Sequence, residues 1–200
     1  MQVQFTSQLK YGDCGALICT PVCCLVASSY LMNNNDAYKP AFSLLTSEYI
    51  DKAMRASHAM YKSHYDNNKT SNNNKKQMMM VHEIQHLFPK EKIKFYEVAG
   101  MTRSGEKIEI EDLFVCPLHI LVKELLTSAK KNSKLFTLIV TYLEHTKCYL
   151  FDKQGNLFLF DPLPAFLRDV TFSWDQSIPS NNIEYSALLL TPKTESSSDI

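Results

Sequence analysis

No charge imbalance marks this chain. Its 200 residues carry 21 Lys+Arg against 21 Asp+Glu, for a formal net charge of zero. No basic patch stands out either, so nucleic acid is excluded as the default partner. No apolar run reaches the ~18–20 residues that a membrane span requires. The longest, Ala16 to Leu31, is interrupted by Thr20, Pro21 and the pair Ser28-Ser29. It follows Asp13 and lacks a small-residue cleavage site after it, so it does not read as a signal peptide. A disulfide framework is absent as well. Of six cysteines, four crowd into Cys14, Cys19, Cys23 and Cys24 on one helix-length segment. That is the pattern of free thiols in a reducing compartment. There is no internal repeat.

What is present suits one folded domain. Apolar residues make up 45% and aromatics 11%, enough for a core without staples. Residues 1–13 read as an extended lead with a turn at Tyr11-Gly12-Asp13. Residues 14–31 are apolar on all sides, the mark of a buried helix, although Pro21 should kink or split it. Residues 42–65 repeat apolar side chains at three- and four-residue steps and predict a second helix. A polar, Asn-rich loop follows at 66–76, then a short helix over 77–88 stopped by Pro89.

Strands are expected at 93–98 and 107–110 around a turn at Arg103-Ser104-Gly105. A helix with Pro117 at its start and lysines at its end should cover 117–131. Strands at 135–144, 145–152, 157–161 and 183–190 follow, the middle two joined through Lys153-Gln154-Gly155-Asn156. Helices first and antiparallel strands second make an α+β domain. Its expected limits are 1–192, divided into a helical lobe (1–65), the Asn-rich loop (66–76), an insertion that lines the cleft (77–131) and a β lobe (132–192). A disordered tail is expected over 193–200.

The chemistry-bearing residues begin with Asp13-Cys14-Gly15. On this reading Cys14 opens the buried helix, where unpaired N–H groups and the positive end of the helix dipole favour thiolate. Gly15 would leave room for a substrate backbone. Gln8, six residues earlier, carries a carboxamide able to reach an oxyanion formed at that sulfur. Among the six histidines only His145 falls on a predicted central strand, where an imidazole is held rigidly. Asp161 ends the next strand, sixteen residues on, just before Pro162. Hairpin pairing can bring its carboxylate to that imidazole. Cys19, Cys23 and Cys24 are expected to pack, and Cys148 to face the other side of the strand from His145.

Gln8, Cys14, His145 and Asp161, in that order and on those element types, resemble the papain-like cysteine peptidases. The Q-x5-C spacing, the Asp-Cys-Gly tripeptide and the His-x15-Asp-Pro hairpin look most like the bacteriocin-leader peptidase branch. Bacterial host-targeted thiol proteases share the plan. The resemblance covers residues 8–31 and 135–164. It implies an N-terminal helical lobe with a buried central helix and a C-terminal antiparallel β lobe. It also implies acyl transfer, with Cys14 attacking a carbonyl, His145 moving the proton, Asp161 holding the tautomer, and Gln8 with the Cys14 N–H taking the oxyanion. No cofactor is implied. The expected partner is a protein or peptide substrate, with host and ubiquitin-like proteins among the candidates. A monomer is expected, located in the cytoplasm or delivered into a host cell.

Two alternatives compete. Residues 82–86 read His-Glu-Ile-Gln-His. On a helix, His82 and His86 would share one face as zinc ligands, with Glu83 as the general base. The acidic residues downstream, Glu106, Glu109 and Glu111, fall in a predicted strand and turn rather than on a helix. The other alternative is a catalytically inactive binding module on a protease-like scaffold.

Overall fold

The computed structural model describes residues 1–34, 38–68, 79, 84, 89–99, 109–110, 113–114, 117–178, 183 and 185–193. The chain is α+β. A seven-stranded antiparallel sheet is ordered β1-β8-β7-β6-β5-β9-β2. Its strands are β1 (Gln2–Gln4), β2 (Ile93–Ala99), β5 (Phe136–Tyr142), β6 (His145–Phe151), β7 (Leu157–Asp161), β8 (Phe166–Asp169) and β9 (Ser186–Pro192). A separate two-residue ladder joins β3 (Glu109–Ile110) to β4 (Leu113–Phe114).

The central strands are apolar on both faces because both faces are covered. On one face lies α1 (Cys19–Asn34), packed on Ile139, Cys148, Leu150 and Leu188. Beyond it lie α2 (Ala41–Leu44) and α3 (Ser47–Asn68), so α1 is enclosed between sheet and helices. That position explains its apolarity all round. Ile18, Val22, Val26, Tyr30 and Leu31 are each fully buried, at roughly 1.5–3 kcal/mol apiece. On the other face α4 (Leu118–Asn132) sets Leu121, Val122 and Leu125 against Leu138, Val140, Tyr149 and Leu159.

Three boundaries differ from the sequence reading, each for a local reason. The buried helix begins at Cys19, not Cys14; a 3-10 segment over Gln8–Leu17 precedes it, interrupted at Tyr11 and Gly12. Pro21 therefore sits in the first turn, where its missing N–H costs nothing, and no kink results. The second helix is two, because the Thr46 hydroxyl accepts from Tyr49 N at 3.2 Å and caps a fresh start. It then runs to Asn68, past the expected loop boundary. A strand missed in the sequence, β8, pairs with β7 on one side and β1 on the other. The turn at 103–105, most of 77–88, the Asn-rich stretch beyond 68 and the tail 194–200 lie outside the described residues.

Two turns fix the register around β6. The β6–β7 connection is tied by Asp152, buried, whose carboxylate accepts from Gln154 N (2.9 Å), Asn156 N, Asn156 Nδ2 and Tyr38 Oη (each 2.8 Å). The β5–β6 connection is only Leu143-Glu144, closed on the Tyr142↔His145 pair. Both residues have positive φ, 49° and 58°. Such a two-residue turn favours Asn-Gly, since L side chains are strained there. Leu143→Asn with Glu144→Gly should therefore stabilise the fold by about 1–2 kcal/mol. Calorimetry should show a melting temperature higher by about 2–6 °C. A melting temperature unchanged or lowered would mean the turn stores no strain.

Candidate active site

Strand register places the first two members of the site. His145 opens β6 and Asp161 ends β7. The β6–β7 ladder pairs Cys148 with Phe160, so His145 and Asp161 fall on the same face at neighbouring positions. His145 Nε2 lies 2.8 Å from Asp161 Oδ1. Asp161 is only 5% exposed at its side chain, His145 20%. Asp161 also accepts from Leu163 N at 3.1 Å and lies 3.4 Å from Lys147 Nζ through its other oxygen.

The thiol that meets His145 is Cys19. Its sulfur lies where the His145 imidazole and the Thr146 backbone and side chain favour its deprotonated form. With Nε2 taken by Asp161, Nδ1 is the ring nitrogen left for the thiol. Burial raises the Cys19 pKa, but the His145 and Thr146 bonds and the imidazole's charge outweigh it, so the thiol sits below its ordinary value. Burial lowers the His145 pKa, but Asp161 and Cys19 reverse this and push it up to about 9. Burial raises the Asp161 pKa, but His145, Lys147 and the Leu163 N–H hold it below the ordinary carboxylate range. Together these shifts favour a thiolate–imidazolium pair oriented by a carboxylate.

Cys19 is positioned by the start of α1. Its neighbour Thr20 shares a 2.8 Å hydroxyl contact with Thr146, which shares another with Thr141, also at 2.8 Å. This buried chain fastens the helix N-terminus to the β5–β6 hairpin. The first amides of α1 have no intrahelical acceptor. Cys19 is fully buried.

The N-terminal segment delivers Gln8. It is fastened along the turn after Asp161. Gln4 Nε2 donates to Pro164 O, Phe5 N to Ala165 O (2.7 Å) and Ser7 Oγ to Leu163 O (2.9 Å). Gln8 is fully buried, and neither end of its carboxamide has a hydrogen-bond partner among the described residues. Gly15 is not an opening for substrate. A Cβ there would overlap the Gln8 carbonyl oxygen and lie 3.0 Å from Leu9 Cα, so the glycine admits the Gln8 backbone instead.

Cys14 falls within the 3-10 segment, and its side chain lies outside the described residues. So do His82, Glu83 and His86; of that pentapeptide only Ile84 is described, helical and buried. Among the described residues no cluster of three potential metal ligands occurs. No helix among them is long and apolar enough to cross a membrane. Cys19, Cys23, Cys24 and Cys148 are free and buried. Burial drives the Cys23, Cys24 and Cys148 thiols well above their ordinary values. Cys19 alone among the four is shifted the other way. Sequence reasoning had grouped it with the packing cysteines, although Pro21 two residues on was the signal that the first helical turn lies there.

No family model and no curated protein matches the sequence. The structure, however, is similar to a solved ubiquitin-specific protease encoded by a murine cytomegalovirus tegument protein, in complex with a ubiquitin-based suicide substrate. The TM-score is 0.63 at 13% identity, over 98% of this chain and 88% of that one. The chain thus shares the α+β fold of that protease.

Proposed function

We propose that this chain is a papain-like thiol hydrolase that cleaves a peptide or isopeptide bond, with Cys19 as nucleophile. The single observation behind this reading is the His145–Asp161 pair at 2.8 Å beside Cys19, whose thiol that imidazole holds below its ordinary value. The shift of the nucleophile from Cys14 to Cys19 follows from that arrangement. Cys19 Sγ attacks the carbonyl carbon, and the oxyanion forms beside the Cys19 N–H and the Gln8 carboxamide. A buried carboxamide without partners costs about 1–3 kcal/mol, and an oxyanion would supply the missing acceptor. His145 gives its proton to the leaving amine, leaving a thioester. Water then attacks the thioester, His145 takes its proton, and the acid leaves with the thiolate restored.

The likeness in fold to a ubiquitin-specific protease supports a folded, ubiquitin-like protein joined through its C-terminus as the substrate class. The test is a ubiquitin-based electrophilic probe together with a fluorogenic ubiquitin amide. Wild-type protein should be labelled at Cys19. Cys19→Ala should lose turnover by about 10⁴-fold or more, and Cys14→Ala should keep it. Turnover that survives Cys19→Ala would refute the assignment. Ubiquitin binding with an unlabelled Cys19 would point to the binding module on the same scaffold.

The pKa shifts give the pH dependence its sign. The active pair needs Cys19 deprotonated and His145 protonated. Iodoacetamide should therefore modify Cys19 at pH values below the ordinary thiol value of about 8.5. The kcat/KM should decline as pH rises through about 9, where His145 loses its proton. A rate that keeps climbing above pH 9, as for a free thiol, would contradict an ion pair.

Thr146→Val tests the link between helix and hairpin. It removes the hydroxyl shared by Thr20 and Thr141 and leaves the strand intact. Stability should fall by about 1–3 kcal/mol. The kcat should fall about tenfold, as Cys19 loses one bond and its anchor. Unchanged kcat with lowered stability would make the threonine chain purely structural.

A further inference from the structure

The Asp161 carboxylate is divided between two cations, and only one of them belongs to the proposed triad. Oδ1 serves His145 Nε2 and Leu163 N, while Oδ2 faces Lys147 Nζ at 3.4 Å. Lys147 is not a solvated surface lysine. Its side chain is 20% exposed. Its ammonium lies 5.4 Å from the centre of the Tyr142 ring. Lys147 is opposite Val140 on β5. One step past the Cys148↔Phe160 pair, it also stands across from Asp161 on β7. It shares a strand face with His145, two residues away. A charged side chain here, against Tyr142 and the α4-side core, has a desolvation cost that a surface position would avoid.

From this geometry we propose, building on the thiol-hydrolase reading above, that Lys147 is a positioning residue: its ammonium holds the Asp161 carboxylate by Oδ2, turns Oδ1 to His145, and offsets the hold of that carboxylate on the imidazolium. The first effect is geometric. A carboxylate fixed at both oxygens cannot rotate away from the imidazole. The second is electrostatic. A carboxylate alone would stabilise the imidazolium strongly and slow delivery of its proton to the leaving amine; a second cation shares that field.

The other ionisable groups around this point are Cys19 and Cys23 from α1, Tyr142 from β5, Tyr149 from β6 and Arg168 from β8. Burial lowers the Lys147 pKa, but Tyr142 and Asp161 more than restore it, so the ammonium stays charged through neutral pH. Removing it takes one positive charge away from the imidazolium and leaves the others in place.

Lys147→Met should move the alkaline limb of the kcat/KM profile upward by about one pH unit, with a lower kcat at neutral pH. Lys147→Arg, which keeps the charge, should restore both. A role confined to packing would scale the profile without moving its limb. Titration of the His145 ring by NMR in the same variants gives a readout that needs no substrate. Unmoved limbs and an unmoved ring titration in folded Lys147→Met would overturn the proposal. So would a shift that Lys147→Arg fails to reverse. If Lys147→Met does not fold, Lys147→Gln carries the same measurements. Failure of both to fold, with Lys147→Arg folded, would assign the lysine to stability and also overturn it. Loss of turnover in Cys19→Ala beside a flat Lys147→Met profile would sink this inference alone. Turnover surviving in Cys19→Ala would sink the reading beneath it.

Discussion

Adjacent residues on a β-strand point to opposite faces, and the site depends on that constraint at His145-Thr146. His145 faces Asp161 across the ladder. Thr146 faces the other way, into the α1 layer, where its hydroxyl meets Thr20 and Thr141. One dipeptide thus holds the carboxylate on one side and the helix N-terminus on the other. Cys19 precedes Thr20, so the Thr20 contact sets the start of α1, and Cys19 with it, at the β5–β6 hairpin. The two-residue turn sets where this dipeptide begins. One further residue between Tyr142 and His145 would exchange the two faces and bring Thr146 to Asp161.

The same region carries its instability in identifiable places. Leu143 and Glu144 hold positive φ at the turn that precedes His145. Gln8 buries a carboxamide with neither end satisfied among the described residues. Strain and unsatisfied polar groups gather at functional sites because the surrounding packing can override them. Here the override is visible. β1 pairs with β8, Phe5 and Ser7 bind the turn after Asp161, and Gly15 admits the Gln8 backbone at close range. The order Gln8, Cys19, His145, Asp161 is scattered in sequence, yet every member is fixed by a hydrogen-bonded element boundary.

Much of this was legible in the chain, for physical reasons that can be named. Segment 14–31 is apolar on every side, and only a helix enclosed by two layers tolerates that. His145 and Asp161 lie at the two ends of strands joined by a turn rich in turn-forming residues, so hairpin pairing puts them within reach. The α+β order followed from the succession of periodicities. The helix start differs because apolarity alone draws the helix back to Cys14 and makes Pro21 a kink inside it rather than a member of its first turn. Proline is admitted in the first turn and costs about 3 kcal/mol deeper in, so Pro21 places the helix N-terminus near Cys19. The split at Thr46 and the strand Phe166–Asp169 were missed because a single capping hydroxyl and an edge-ward four-residue strand leave no periodic trace.

The charge balance of the site also bears on folding, and the sign differs for its two partners. His145 is raised to about 9 in the folded chain, so its contribution to stability is complete below the ordinary imidazole value of about 6.5 and disappears as pH rises through 9. Asp161 is lowered, so its contribution is complete above the ordinary carboxylate value of about 3.9 and is lost as pH falls through the folded one. Between these limits the pair favours the folded state while the thiol next to it is kept reactive. Reactivity and stability are commonly opposed at an active site. Here the imidazolium that lowers the Cys19 pKa also binds Asp161, so the ionisation that the proposed chemistry requires supports the fold. The opposing cost falls instead on Gln8, whose buried carboxamide finds no partner among the described residues.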